Sequence, residues 1–454
     1  MKTEMKDKKN LALLGGEPLI KEAAPAELFK WPILTDEDRE AVMYVVENNR
    51  YSHTDITIKF QDEFAAWQGR KYALAFTNGT MSLAAAMFGI GLSAGDEIIC
   101  PTKTYWASVS QAKTFGAKVV FCNINDMLSL DPDDLERCIT PRTKAIMVVH
   151  YVGYPCDMDR IMEIANKHGI PVIEDCSHSQ GSLYKGKKTG NFGRVAAMSM
   201  MSGKSFAAGE MGMLVTDDVE VYERAIAYGH YERNNAKYIT ETEYLKDFYH
   251  IPLGGVKGRV NQVCSALGRG QLKYFDQRCA EIRRAMNYFY DLIDDIPGIT
   301  PVRVDESTGS TMGGFYCPLC VYDPEKFGGL SSKRFADALR AEFNGAFCSW
   351  EGGNFCLHTH PYFDRYDFMK GGKDAVLEDR GEREEDKILA PSVAKSCFSV
   401  PWFKHCDKEW IEKYAAVFRK IADNYEELLE GDTDKEQGGR WHGQENEDVQ
   451  KKKK

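Results

Sequence analysis

The sequence predicts an α/β protein: a large domain built on a mainly parallel sheet, with a smaller α+β domain at the C-terminal end. Three observations predict it. Between about residues 71 and 217, apolar runs of strand length alternate with stretches of helical period. The strand candidates are apolar on both faces, as in a sheet covered by helices on both sides. Beyond about residue 265 the alternation gives way to one long helical stretch and then to mixed elements. At 454 residues, 43% of them hydrophobic and 28% charged, the chain has the length for two or three domains. Its cores can form without disulfide staples.

The elements follow in order. KYALAFT (71–77) is a strand candidate, and Asn78-Gly79-Thr80 opens the helical stretch MSLAAAMFGIG. DEIIC (96–100) is the next strand, followed by a helix through SVSQAKTFG and the strand AKVVFCNI (117–124). KAIMVVHYV (144–152) precedes a helix in DMDRIMEIANKHG, apolar at Met158, Ile161, Met162 and Ile164 or Ala165. PVIEDC (171–176), AAMSMM (196–201) and GMLVT (212–216) complete the set. The expected organisation is an N-terminal arm over 1–35, a large domain over 36–275 and a small C-terminal domain over 276–430. The tail over 431–454 has almost no apolar content and is expected to be disordered.

Composition narrows the function. The 58 basic and 68 acidic residues leave a formal charge of −10, which disfavours broad attraction to nucleic acid or to an anionic membrane. No run reaches the length of a transmembrane helix, and the apolar LALL near the start is too short for a secretory signal. The 13 cysteines are odd in number and scattered, several inside apolar runs, which points to buried thiols in a reducing compartment, the cytoplasm.

In a parallel α/β sheet, ligands collect at the carboxyl ends of strands, and three turns there carry notable residues. Thr77-Asn78-Gly79-Thr80 can act as a phosphate cradle, with the Thr80 and Met81 amides at a positive helix end. On the tripeptide alone an ordinary N-cap is the better reading. Glu174-Asp175 follows the apolar PVI, and successive strand residues point to opposite faces. One of the two carboxylates can pair with a nearby Arg or Lys. Ser199-Met200-Met201-Ser202-Gly203-Lys204 places a lysine among small residues after a buried strand. A desolvated lysine can attack a carbonyl, whereas a random lysine more often reaches solvent. Jointly the turns meet one demand. Pyridoxal phosphate needs a phosphate cradle, a carboxylate for its ring nitrogen, a lysine for its aldehyde and an aromatic ring, which Tyr105 of PTKTYW supplies.

The segments LALLGGEPL, TNGTMSL, GDEIICPTKTYWAS, TKAIMVVHYVGYPCDMDRI, PVIEDCSHSQGSLYKGKKTGNFG, SMMSGKSFAAGEMG and GGVKGRVNQVCSALGRGQL, in this order and spacing, carry a resemblance. The chain resembles the pyridoxal-phosphate sugar aminotransferases of the DegT/DnrJ/EryC1/StrS family over about residues 11–425. The resemblance implies the aspartate-aminotransferase fold (fold type I) and a homodimer with shared active sites. It makes Lys204 the Schiff-base lysine and Asp175 the partner of the pyridinium nitrogen. His178 falls near the ring hydroxyl, Tyr105 stacks on the ring, and Gly79, Thr80, Met81 and Ser199 contact the phosphate. Lys257 matches the position that reaches the neighbouring subunit's phosphate. The implied reaction moves an amino group from L-glutamate or L-glutamine to a ketone on a sugar or cyclitol. An aminohydroxybenzoate-synthase-like enzyme and a non-catalytic, cofactor-binding regulator are the alternatives. Relatives that dehydrate sugars carry histidine in place of the lysine.

The departures are specific. The usual GEGG reads Gly209-Glu210-Met211-Gly212, SMMSGK replaces an aromatic-rich segment, and GVKGRV lacks the usual tyrosine before Arg259. SMMSGK, together with the LGGEPL opening, leans toward the cyclitol and aminohydroxybenzoate branch rather than the nucleotide-sugar branch. The acid-rich stretch 366–388 carries no assigned role. Cys317-Pro318-Leu319-Cys320 has metal-ligand spacing without a second pair, so two buried thiols are expected and no metal. His358-Thr359-His360 is a candidate for a metal or for the pocket rim.

Overall fold

The computed structural model describes residues 10–344, 354, 356–364 and 397–433. The acid-rich stretch 366–388 and all but the first residues of the 431–454 tail lie outside the described residues.

Helix α1 (Asp36–Glu47) is opened by a capping box between Thr35 and Asp38, and α2 (Asp55–Gln68) ends on Gly69 in the left-handed conformation. Then come β1 (Tyr72–Phe76), α3 (Gly79–Gly89), β2 (Glu97–Pro101), β3 (Lys118–Cys122), α4 (Pro132–Cys138), β4 (Thr143–Val149), α5 (Met158–His168) and β5 (Val172–Asp175). A small hairpin, β6 (Leu183–Tyr184) with β7 (Lys187–Lys188), precedes β8 (Val195–Ser199), β9 (Gly212–Thr216) and α6 (Val219–Gly229). The main sheet has the order β1-β9-β8-β5-β4-β2-β3. The neighbours from β8 to β3 run parallel, and β9 runs antiparallel to both β1 and β8.

Side chains alternate across this sheet as the period of two requires. Leu74, Ile98, Met147, Ile173, Ala197 and Leu214 pack under α3 and α6 on one face. On the other face Ala73, Ala196 and Met213 meet α2 and the start of a long helix, while Ile99, Val120 and Ile146 meet α4 and α5. Both faces are covered, which explains strands without a polar stripe.

One local expectation is revised. The segment after β2 forms two 3-10 helices, Trp106–Ser108 and Ser110–Phe115, in place of one continuous helix. Val109, at φ −146, separates them, and the Thr104 and Ser108 hydroxyls bond to each other and toward Asp175. Hydroxyl groups drawn sideways compete with a regular helical path.

Helix α7 (Gln262–Ile293), 32 residues long, links the two cores. Phe275 and Cys279 belong to the large-domain core, whereas Ile282 to Ile293 belong to a second core. The domain boundary expected at 275/276 falls inside this helix. The second core is roofed by the antiparallel strands β10 (Ile299–Pro301), β11 (Leu319–Tyr322) and β12 (Cys397–Ser399), with α8 (Ser332–Glu342), the single turn α9 (Pro361–Asp364), α10 (Lys408–Asp423) and α11 (Glu426–Leu429). Leu11, Ile20 and Leu28 of the N-terminal arm enter this same core. Among the described residues no helix is long and apolar enough to cross a membrane.

Candidate active site

The carboxyl ends of β1, β2, β5 and β8 converge, and the turns leaving them carry the polar groups. Lys204, in the turn after β8, is 9% exposed. No hydrogen bond or ion pair holds its ammonium among the described residues; Nζ lies 4.1 Å over the ring of Tyr316. Burial lowers its pKa to about 8, against the opposing pull of Cys317 and Asp175.

Asp175 closes β5 and is buried. Its Oδ2 accepts from Ser108 Oγ at 2.7 Å and its Oδ1 from the Ser177 amide at 3.0 Å. Ser108 belongs to the turn of Tyr105, since its amide donates to the Tyr105 carbonyl. Glu174, one residue earlier, points the other way. It is fully buried and accepts from the amides of Gly190, Phe192 and Gly193, with His150 Nε2 at 3.1 Å and Arg70 at 4.0 Å. Glu174 is therefore a structural clamp, and Asp175 points to the opposite side, toward the turn of Ser108 and Tyr105.

His178 is buried, and its Nδ1 accepts from the Val152 amide at 3.1 Å, so a neutral ring carries its proton on Nε2. Burial, and then the charge of Lys204, hold its pKa well below the usual histidine range. Its ring is 4.5 Å from that of Tyr316. Val152, a β-branched residue, has φ 49, and Phe315 and Cys317 on either side of Tyr316 have φ 52 and 48. Left-handed backbone at such residues costs on the order of 1–3 kcal/mol each and clusters at functional sites.

At the end of β1, Asn78 caps α3 by accepting from the Met81 amide at 2.8 Å. The Met81 amide is thus already engaged. Gly79 and Thr80 donate no amide hydrogen bond among the described residues. A Cβ on Gly79 would sit 2.6 Å from Ser199 Cβ, so only glycine lets this helix start approach the end of β8. Ser199 is fixed in turn, its amide donating to Ser177 Oγ at 3.0 Å.

This constellation can be compared with known proteins. The profile of the DegT/DnrJ/EryC1/StrS aminotransferase family matches residues 32–375. The chain belongs to the DegT/DnrJ/EryC1/StrS aminotransferase family. It is 35% identical over 267 residues to GDP-perosamine synthase of Escherichia coli O157:H7, covering 58% of this chain and 71% of that one. It is 29% identical over 434 residues to the L-glutamine:scyllo-inosose aminotransferase of Streptomyces griseus, covering 92% and 99%. In fold it matches 3-amino-5-hydroxybenzoic acid synthase with a TM-score of 0.71 at 24% identity, over 88% of this chain and 99% of that one.

Members of the DegT/DnrJ/EryC1/StrS aminotransferase family are pyridoxal-phosphate-dependent aminotransferases, and so is this chain. Its residues fit the cofactor: an orphaned buried amine on Lys204, a carboxylate on Asp175 that meets only hydrogen-bond donors, and a helix start that glycine brings against Ser199. Tyr105 is half-buried with its ring 4.9 Å from Trp106. Lys257 does not join the buried group; it is exposed, with Nζ 5.4 Å over the Tyr231 ring.

The departures from the family pattern are absorbed by packing. Met211 and Met200 are fully buried in the core under the sheet, and Gly212 is required because a Cβ there would lie 2.2 Å from the Asn78 carbonyl oxygen. Cys320 is buried as expected, but Cys317 is exposed, turned outward by its left-handed backbone. His358 Nδ1 lies 2.5 Å from Thr102 Oγ1, which places it beside the turn after β2. Two buried trios, Cys122 with Asp134 and Cys138, and His150 with Glu174 and Cys176, bring ligand-type atoms within 4.8 Å. In each the carboxylate is already taken up by amide or guanidinium donors.

Sequence reasoning missed Ser108, Ser177, Tyr316, Trp31 and Trp402. Ser177, two residues after Asp175, carried the signal of an Asx-type turn; the aromatics carried none that separates them from core.

Proposed function

We propose that this enzyme moves an amino group from L-glutamate or L-glutamine to a ketone on a sugar, nucleotide-linked in one version, or on a cyclitol, within amino-sugar, aminocyclitol or related biosynthesis. The observation that carries the reading is Lys204, a buried amine without a partner at the sheet end where Asp175 and the Gly79 turn meet. The names of the relatives, a GDP-perosamine synthase and an L-glutamine:scyllo-inosose aminotransferase, support this acceptor range.

Pyridoxal phosphate, when bound, supplies the electron sink for the carbanion that forms when a substrate carbon loses its proton. The chain's residues do the rest. Gly79, Thr80 and Ser199 hold the phosphate, while the Met81 amide secures the helix start through Asn78. Asp175, steadied by Ser108 and Ser177, keeps the ring nitrogen protonated. His178 donates from Nε2 near the ring hydroxyl, and Tyr105 covers the ring face. Lys204 Nζ would take the proton from the donor carbon and deliver it to C4′ of the cofactor, and carry it the opposite way with the acceptor, its basicity already brought down by burial.

The exposed Tyr231, Phe248, Ile251 and Leu253, close in sequence to Lys257, support a homodimer in which Lys257 reaches the partner's phosphate site. The free thiols of the described cysteines support a cytoplasmic location.

The test is an absorbance spectrum of the cofactor-loaded protein before and after L-glutamate or L-glutamine. Loss of the visible band, followed by its recovery on adding keto-sugars or inososes, is expected. A visible band that ignores every amino donor would favour the regulator; recovery only with an aminohydroxybenzoate precursor ketone would favour that branch. A Lys204→Ala protein that still turns over repeatedly would overturn the assignment.

A further inference from the structure

Three lysines are buried among the described residues: Lys103, Lys204 and Lys404. Lys103 donates to the carbonyl of Asn354. Lys204 is the reactive amine. Lys404, 2% exposed, has no hydrogen-bond partner for its Nζ. That amine lies 2.6 Å over the centre of the Trp402 ring and 5.1 Å from that of Trp31. Aromatic faces attract a cation but accept no conventional hydrogen bond, so the group remains unsatisfied.

Several contacts bring Lys404 into the wall of the site already described. Trp31 donates its indole N–H to the Lys204 carbonyl at 2.8 Å. Trp402 donates to the Gly314 carbonyl, and Gly314 is pressed so close to Ser205 that a Cβ there would lie 2.6 Å from Ser205 Cβ. The Ser205 hydroxyl is itself buried without a partner. The Tyr316 ring meets Trp402 edge-on at 5.8 Å and lies under Lys204 Nζ at 4.1 Å. Lys204 and Lys404 thus each lie over one ring of the same aromatic pair. Burial lowers the pKa of both, that of Lys404 well below the usual lysine range, against the opposing pull of the exposed Cys317, so an anion beside Lys404 would restore its charge. Apart from the pull of Cys317, no described side chain bonds to the Lys404 amine or pairs with it as a carboxylate.

We propose that Lys404 is the cation of a carboxylate subsite that holds one carboxylate of the amino-acid donor while its amine is presented at Lys204. The inference rests on the aminotransferase reading above. A single ammonium walled by indole rings suits one planar monoanion. A phosphate or diphosphate group calls for several converging donors, such as backbone amides or guanidinium forks. The acceptor's phosphates are therefore assigned elsewhere.

The test uses the full-length, cofactor-loaded protein with Lys404→Met and Lys404→Arg variants. Glutarate, which has both donor carboxylates and no amine, is titrated by calorimetry, and donor-driven loss of the visible band is followed in parallel. Lys404→Met is expected to weaken glutarate by about tenfold or more. It should raise the L-glutamate or L-glutamine concentration for half-maximal bleaching by a similar factor, with the resting spectrum intact. Lys404→Arg retains most of the binding. If the methionine variant does not fold, Lys404→Gln, which also lacks the charge, is expected to show the same loss. Wild-type affinity for glutarate in the uncharged variants overturns the proposal. So does a loss confined to binding of a nucleoside diphosphate. A wild-type protein that ignores both donors yet binds glutarate through Lys404 sinks the donor reading and leaves the carboxylate subsite standing.

Discussion

Trp31 Nε1 donates to the carbonyl oxygen of Lys204 across 2.8 Å, so the N-terminal arm holds the turn that carries the buried Lys204 amine. The arm is anchored independently, with Leu28 in the small-domain core and Phe29 5.5 Å from Phe403. Replacing Trp31 by Phe keeps an aromatic ring and removes the donor. The expected loss is about 1 kcal/mol of stability. A reduced rate of cofactor capture, followed by the growth of the visible band in the apo-protein, should accompany it. An unchanged capture rate would mean that the arm only covers the core.

Lys204 must be unprotonated to attack an aldehyde. With its pKa brought down to about 8, capture of pyridoxal phosphate by apo-protein should rise with pH through about 8 and level off above it. Asp175 raises that pKa, so Asp175→Asn should move the midpoint lower. A midpoint near the ordinary lysine value of about 10.4 would contradict the buried setting.

Gly79→Ala drives a methyl group into Ser199, where the Cβ–Cβ separation would be 2.6 Å. Overpacking of this kind costs about 1–3 kcal/mol. Because the collision lies between the two halves of the proposed phosphate site, the larger effect should be on cofactor retention, read as loss of the visible band on dialysis. Gly169→Ala is the control: alanine is strained at its left-handed backbone, which costs stability, but a Cβ there meets nothing within 4 Å. It should keep the cofactor.

Glu174 and Asp175 are neighbours with separable duties. Glu174→Gln places an amide among the Gly190, Phe192 and Gly193 donors and should cost about 3 kcal/mol, visible as a lower Tm. Its cofactor band should persist. Asp175→Asn should do the reverse: little change in Tm and about a hundredfold or greater loss of turnover.

The strands of the main sheet were legible because strands buried on both faces are apolar throughout, and the turns between them were punctuated by Asn78-Gly79, Glu174-Asp175 and Gly203-Lys204. Polar residues at the ends of such strands stand out. The aromatic wall was not legible. Trp31, Tyr316 and Trp402 come from three distant segments, and nothing in their spacing separates a ring facing a cleft from one facing a core. Cys317 lies in an apolar run that reads as buried, and only its left-handed backbone turns it out. Lys404, in Trp402-Phe403-Lys404-His405, has the look of a surface lysine; its burial arises from the arm folding over it, as its amide bond to the Leu28 carbonyl shows.

The opposite facing of Glu174 and Asp175 ties catalysis to strand alignment. Val149 of β4 pairs with Asp175 and Val148 with Glu174. A slip of β5 by one residue would turn each carboxylate to the opposite face, and Glu174 in the place of Asp175 would leave Ile173 beneath the 190–193 loop. It would also turn Val172 and Ile173 toward each other's helices. A misaligned chain would therefore lose its clamp and its proposed ring-nitrogen partner together, and would be neither stable nor half-active. Proofreading of assembly is built into two consecutive acidic residues.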